Sequence, residues 1–424
     1  HVHCVQATWI YRRDIDHDGL RTTVDNLAHG LLGRRIERSP LPFGRDRWTR
    51  WEETPVVAMA APVSSPNAVA DWVEERARVA IDPERGPGWH VGVLPIAQYG
   101  TAVSVVASHS IIDGLGLTLV LADAANGVRH DFGYPPPRSR PRREALRQDV
   151  RLTVDGLPGV GRALRAIPKL ARRADPSPAR PKADRPRAAP AAGPDRPVDV
   201  PAATVYVDVA AWDTRVEALG GTSNSLFAGF AAKLAEHSGR VRGDGTVTLT
   251  YPVSDRTEND TRANALKSVE LTADPTSVTS DLRTVRAEIK HALTLGLGNF
   301  DEQEALLPLI PFIPLAVAKR VPPEAGGAAD LPIGCSNLGN LDPAVARVDG
   351  TASDYLSVRL VEQNLTTGSP ELRYGELHIT SGRVCGQVFL AVRAYEPGQP
   401  NSRARLRELL TSTLAEFELT GVFI

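Results

Sequence analysis

The sequence predicts an α/β protein organised as two lobes. Three observations point there. Apolar runs of strand length and apolar patterns of helical period alternate along most of the chain. With 424 residues, 42% of them apolar, there is material for more than one core. Between Tyr134 and Pro201 proline and arginine accumulate while large apolar side chains thin out. This break divides the chain into a first lobe (residues 1–134), a Pro/Arg-rich linker (135–201) and a second lobe (202–424).

Composition excludes several classes. A net charge of −1 does not fit a globally basic nucleic-acid binder. Cys4, Cys335 and Cys385 are few, odd in number and far apart, so neither a disulfide framework nor a CxxC metal site is expected, and a reducing cytoplasm is. No apolar run approaches the ~20 residues of a membrane span, and no signal peptide is read at the start, which lacks a methionine.

In chain order, residues 1–11 read as a strand and Asp18 to Leu32 as a helix with Leu20, Val24, Leu27 and Leu31 on one face. His1 and His3 alternate; a metal pair and the polar face of a half-buried strand explain them alike. Asn67 to Ala80 reads as a helix, and Trp89 to Leu94 as a strand that returns through a hairpin near Gln98-Tyr99-Gly100. Ala102 to Ala107 is then a buried strand ending at Ser108-His109. Leu115 to Ala125 is long enough for a helix, with Asp113 at its N-cap and Gly127 just past its end. The chain thus places an imidazole where a strand stops and a carboxylate where a helix begins. A histidine near neutral pKa can take and return a proton if its ring is held, and a carboxylate four residues on can help hold it. A polar strand end followed by a plain helix cap is the simpler alternative. A metal pair at helical i, i+4 spacing does not suit a strand-loop-helix.

His109-Ser-Ile-Ile-Asp113-Gly114 resembles the HxxxDG motif of the acyltransferase superfamily that contains condensation domains, wax ester synthase/diacylglycerol acyltransferases and polyketide-associated acyltransferases. A Pro-x-Trp strand (Pro87-Gly88-Trp89), a short turn and the histidine strand follow in that group's order, so the specific match spans roughly 82–127. One departure stands out: the group usually carries two adjacent histidines, and Ser108 occupies the first position. The resemblance implies a chloramphenicol acetyltransferase-like fold, with a mixed sheet flanked by helices in each lobe and an active-site channel between them. It implies His109 as general base and Asp113 as the residue that orients the loop. Gly114 would give room for the turn and for substrate.

Beyond the first lobe, Leu146 to Ala174 keeps Leu146, Val150, Val154, Leu157, Val160, Leu164, Ile167 and Leu170 near helical spacing, with arginines between. Gly156, Pro158, Gly159, Gly161 and Pro168 are expected to interrupt any long helix, and the apolar stripe to pack on the protein. A helix lying on a membrane or other acidic surface is the alternative. Pro135 to Asp149 and Ala174 to Pro201 are expected to be flexible linkers. The second lobe reads as strand 203–209, helix 210–219, a capped helix from Thr222-Ser-Asn224 to Ala235, strand 246–252, strand 267–271, helix 280–297 and a proline-broken apolar stretch, 300–321. Leu331 to Asn340 reads as a short strand and polar turn. Leu372 to Ile379 and Arg383 to Ala394 read as a hairpin about Ser381-Gly382, and Ser402 to Leu419 as the closing helix.

The resemblance carries further residues. Pro252-Val-Ser-x-Arg256 matches a strand end whose arginine pairs with the motif aspartate, so Arg256 would fix Asp113 by a charge-assisted, bidentate bond; a solvated loop arginine is the alternative. Ser108, Asn264, Ser336 and Asn337 are the substrate-channel candidates, and donors at Ser336 and Asn337 would face a thioester carbonyl. The implied activity is transfer of an acyl group from a CoA or carrier-protein thioester to a hydroxyl. Amide formation on an amine, or a non-catalytic relative that binds a carrier protein or lipid, are the alternatives. No metal or redox cofactor is implied, since there is no Rossmann fingerprint and no GxxxxGK[ST], and the lack of a GxSxG elbow tells against a serine hydrolase. The implied partners are an acyl thioester, an alcohol or amine acceptor, an acyl carrier protein and peripherally a membrane, not nucleic acid.

Overall fold

The structure, a computed structural model, describes the chain except residues 1, 54, 174–194, 258–259, 305–306, 313–330, 370–371 and 373. The first half contributes β1 (Val2–Tyr11), α1 (His17–Leu27), β2 (Arg34–Glu37), β3 (Arg47–Arg50), β4 (Val57–Met59), α2 (Pro66–Arg78), β5 (Trp89–Ile96), β6 (Gly100–Ser108), α3 (Gly114–Ala125) and α4 (Arg142–Arg173). The second contributes β7 (Ala202–Asp208), α5 (Val209–Ala218), α6 (Ser223–His237), β8 (Val247–Ser254), β9 (Leu266–Ala273), α7 (Arg283–Glu304) and β10 (Ile333–Asn340). It ends with β11 (Tyr355–Gln363), β12 (Glu376–Val384), β13 (Gln387–Tyr395), α8 (Arg403–Glu416) and β14 (Val422–Phe423).

Two mixed sheets form the lobes. The first runs β11-β1-β6-β5-β4, with only β4 and β5 parallel, and the second runs β14-β7-β13-β12-β10-β8-β9, with β10 parallel to both its neighbours. β6 sits inside the first sheet and is buried from Thr101 to Ser108, which is why it reads as a continuous apolar run and not an alternation. In the second lobe α6 is buried along nearly its whole length from Ser225 to Ala235 and packs on the sheet, α7 and α8; its Thr222/Ser225 capping box satisfies the first turn.

β11 corrects the expected lobe boundary. No strand was expected over 341–371, yet Tyr355–Gln363 pairs with β1 from Ile10↔Tyr355 to Val2↔Gln363, so the second half of the chain supplies an edge strand to the first lobe. The segment before it docks there too: Trp9 Nε1 donates to the Val345 carbonyl at 2.7 Å in a buried bond, and Asp349 accepts from Arg13. The lobes are therefore held together by chain crossing, and 202–424 is not a separate unit.

Three local expectations also change. α1 stops at Leu27 because Gly30 turns the chain at φ +67°. The β12–β13 hairpin turns at Cys385-Gly386, both at positive φ as a primed two-residue turn requires, and not at Ser381-Gly382. Gly382 lies inside β12 opposite Phe389, where a Cβ would meet the ring at 2.7 Å; its missing side chain is room for the phenylalanine.

α4 is the largest difference: a continuous helix runs from Arg142 to Arg173 through the glycines and prolines. Buried Asp149, which accepts from Ser39 and Arg140, anchors its start, and Ala145 and Ala163 face the protein, so the flexible linker expected over 135–149 is helix from Arg142 on. The expected packing of the apolar stripe is overturned, for Leu146, Val150, Val154, Leu157, Leu164 and Ile167 are all exposed. The flexible linker expected at 174–201 lies outside the described residues except for 195–201, as does 313–321 of the proline-broken stretch; residues 307–312 form a 3₁₀ turn.

Candidate active site

The His109 loop is tied down at almost every backbone position. β6 ends when the Ser108 amide donates to Gly88 and the His109 amide to the His3 carbonyl. Ser108 is fully buried, and its Oγ accepts the Ser110 amide at 3.2 Å. It borders neither cavity described below, so it braces the loop and is not a channel residue. The second lobe reaches in from above: Asn264 Nδ2 donates to the His109 carbonyl at 3.0 Å. Arg34, 1% exposed and stacked on Trp48, donates to the Ile111 carbonyl at 2.6 Å and to the Thr261 carbonyl. Sequence reasoning missed Arg34, because Arg34-Arg35-Ile-Glu-Arg38 has the look of a solvated charge run.

Asp113 caps α3 and is the pivot between lobes. Its Oδ1 accepts the Gly116 amide at 2.6 Å; its Oδ2 accepts Arg256 Nη2 at 2.6 Å and the Ala265 amide at 2.9 Å. The two side chains are 0% and 4% exposed, so the solvated-arginine alternative fails. The pair is not bidentate, however: Arg256 Nη1 goes to the carbonyls of Asp260 and Arg262 within its own loop. A side chain at Gly116 would crowd the pair, since a Cβ there would lie 3.0 Å from Asp113 Oδ1 and 3.1 Å from Arg256 Nη2. Gly114 differs. It starts α3 with nothing nearer to an added Cβ than Leu338 at 3.6 Å, so the turn does not need it, although it does border a cavity.

Two cavities meet at the histidine. One, of about 270 Å³, is lined by His109, Gly114, Leu115, Ser336, Asn337 and His378 among others. The other, more open and about 670 Å³, is lined by His109, His3, Ser110, Asn264, Asp82 and Glu84. His109 and Leu360 of β11 are common to both. Ser336 and Asn337 belong to β10 and not to a turn. The Asn337 amide is engaged, its Nδ2 with Asn224 of α6 and its Oδ1 with the Gly339 amide, while Ser336 Oγ stands 3.3 Å from His378 Nε2.

His378 is a second histidine in the cavity that the sequence gave no reason to select: it reads as one polar position on an alternating strand. The structure shows that it is built in. Its ring lies across Gly334 of the neighbouring strand, where a Cβ would come within van der Waals overlap of Cδ2. His3 Nδ1 pairs with Glu362 at 3.1 Å, and His1, its partner in the metal alternative, lies outside the described residues; among the described residues no group of three or more His, Cys, Asp or Glu is placed to hold a metal.

Burial lowers the pKa of His109, with His3 adding to the effect, while its own backbone, Asp113 and Asn264 oppose it. The ring is therefore neutral, the form a base requires, at physiological pH. Burial and Arg393 bring His378 down to about 4, and burial and Arg76 bring His90 to about 4. In the unfolded chain these imidazoles bind a proton near pH 6.5, so below that the unfolded state holds more protons and stability rises with pH. Acidification from pH 7.5 to 5 is expected to cost roughly 1–2 kcal/mol for each of His90 and His378. Urea midpoints at the two pH values test this; equal midpoints count against the buried neutral rings.

The class that emerges is a two-lobed α/β chain with a braced His-x-x-x-Asp loop between two cavities. No family model matches the chain, and no curated protein sequence does. Solved structures do. The first condensation domain of the CDA synthetase is 12% identical at a TM-score of 0.56, covering 99% of this chain and 93% of that one. Wax ester synthase/diacylglycerol acyltransferase from Marinobacter aquaeolei is 15% identical at 0.55, covering 98% and 94%. The epimerization domain from the third module of tyrocidine synthetase B is 14% identical at 0.52, covering 99% and 92%. The chain has the fold these proteins share, from end to end, as the motif resemblance implied.

Proposed function

We propose that the protein is an acyltransferase that moves an acyl group from a CoA or carrier-protein thioester to a hydroxyl acceptor. The observation that carries this reading is the position of His109 on the shared border of two cavities, one for each reaction partner. The neutral imidazole takes the acceptor's proton as its oxygen attacks the thioester carbonyl. A C–O bond forms, the tetrahedral oxyanion collapses, the C–S bond breaks, and the imidazolium returns the proton to the leaving thiolate. The Ser336 hydroxyl, held by His378, is the donor we assign to the oxyanion. Asp113 and Arg256 position the loop and do not touch substrate. The exchange is redox-neutral and calls for no metal.

The test is incubation with a panel of acyl-CoAs and acyl-carrier thioesters, with alcohols or amines, followed by thiol titration and product mass spectrometry. Ester products with stoichiometric free thiol are expected. Amides formed in place of esters would move the protein to condensation-type chemistry. Binding of thioester without turnover would make it a non-catalytic relative.

A further inference from the structure

α4 presents to solvent what a soluble surface helix normally hides. Leu146, Val150, Leu157 and Leu164 follow one another at four- and seven-residue steps on one side, and each is between 43% and 55% exposed. Val154 and Ile167 widen the row on either side, at 55% and 43% exposed, while the 3₁₀ turn Leu307–Phe312 packs on a different face of α4, with Pro308 against Gly159. Charge follows the same helix. Arg142–Arg173 holds nine basic residues against three acidic ones, in a chain whose net charge is −1. Of the acidic ones Asp149 is buried in its bonds to Ser39 and Arg140, and Asp155 lies beside Arg151. Exposed Arg147, Arg151, Arg162 and Arg165 lie along one flank of the apolar row.

We propose that this face is a membrane-docking surface for anionic phospholipid. A helix partner would need a narrow seam, whereas the exposed apolar arc from Ile167 through Leu157 to Val154 is broader than such a seam, which suits a plane. The apolar row would enter the headgroup boundary while the arginines pair with phosphates, each worth about 1 kcal/mol near an anionic surface. Membrane contact of this kind is peripheral: among the described residues no helix is long and apolar enough to cross a bilayer. The proposal stands whether or not the acyl-transfer reading holds.

Co-sedimentation of the full chain with phosphatidylcholine vesicles, with and without 30 mol% phosphatidylglycerol, at ~0.1 M and ~0.5 M salt, tests it. The protein is expected to pellet with the anionic vesicles at low salt and to be released at high salt. Leu157→Glu/Leu164→Glu, at exposed positions that leave the circular-dichroism melting curve unchanged, is expected to lower the bound fraction at least tenfold. Arg162→Gln/Arg165→Gln is expected to weaken binding to anionic vesicles only. Failure to pellet with any vesicle overturns the proposal, as does pelleting that survives the double glutamate variant. So does a concentration-dependent dimer, seen by light scattering and lost in that variant, without vesicle binding; that result would make the row a contact between copies.

Discussion

Replacing His109 by alanine is expected to lower thioester consumption by about 10²–10⁴-fold, the range that a positioned general base contributes. The change should fall on kcat and leave KM for the thioester nearly intact, because the imidazole meets the acceptor's proton in the transition state and the acyl chain is held elsewhere. Folding should be spared: the loop is braced through backbone atoms, with the His109 carbonyl taken by Asn264 and its amide by His3, and alanine keeps both. The lowered pKa of the ring has a visible consequence as well. Wild-type activity should hold below pH 6.5 before its acid limb begins, since burial keeps the base unprotonated there. An alanine variant that turns over at the wild-type rate would remove His109 as base while leaving the fold untouched.

Arg256→Ala is expected to cost about 3–5 kcal/mol of stability, the penalty for leaving a buried charge without its partner. Asp113 is 0% exposed and cannot recruit water, and the arginine also holds the carbonyls of Asp260 and Arg262, so the loop over the histidine loses its anchor at the same time. Asp113→Asn should be milder: the amide oxygen can still cap Gly116, although the charge is gone. A double-mutant cycle by urea denaturation separates these effects, and coupling of several kcal/mol is expected. Coupling near zero would show the pair to be an exposed, screened contact despite its geometry.

Much of the site was legible because its signals are local. Asp113 had to cap a helix, given a short polar residue before an apolar run, and His109 had to stand where the buried strand ended. Asn264 and Ser336 were reachable only through a resemblance, and that resemblance rested on the histidine loop and its preceding strand. Arg34 and His378 carried no local signal. Both are polar residues on strands, an ordinary sight, and what distinguishes them is a partner more than 40 positions away: the Ile111 carbonyl for one, Ser336 for the other. β11 escaped for a similar reason, since an edge strand's assignment to a sheet depends on which lobe offers it an unpaired partner.

α4 shows where periodicity misleads. Its apolar spacing was correct, but spacing reports only that a face exists. The protein-facing side turned out to be the one bearing Ala145, Asp149 and Ala163, while the leucines face outward.

The sequence alone determined the α/β class and the strand-loop-helix that presents His109, because each is set by neighbours within a turn or two of chain. Only the tertiary structure decided that Asp113 is buried against Arg256, that two cavities converge on one imidazole, and that a leucine row is left in water. Those are properties of surfaces brought together from distant segments, and the free energy that joins them depends on which groups are removed from water together.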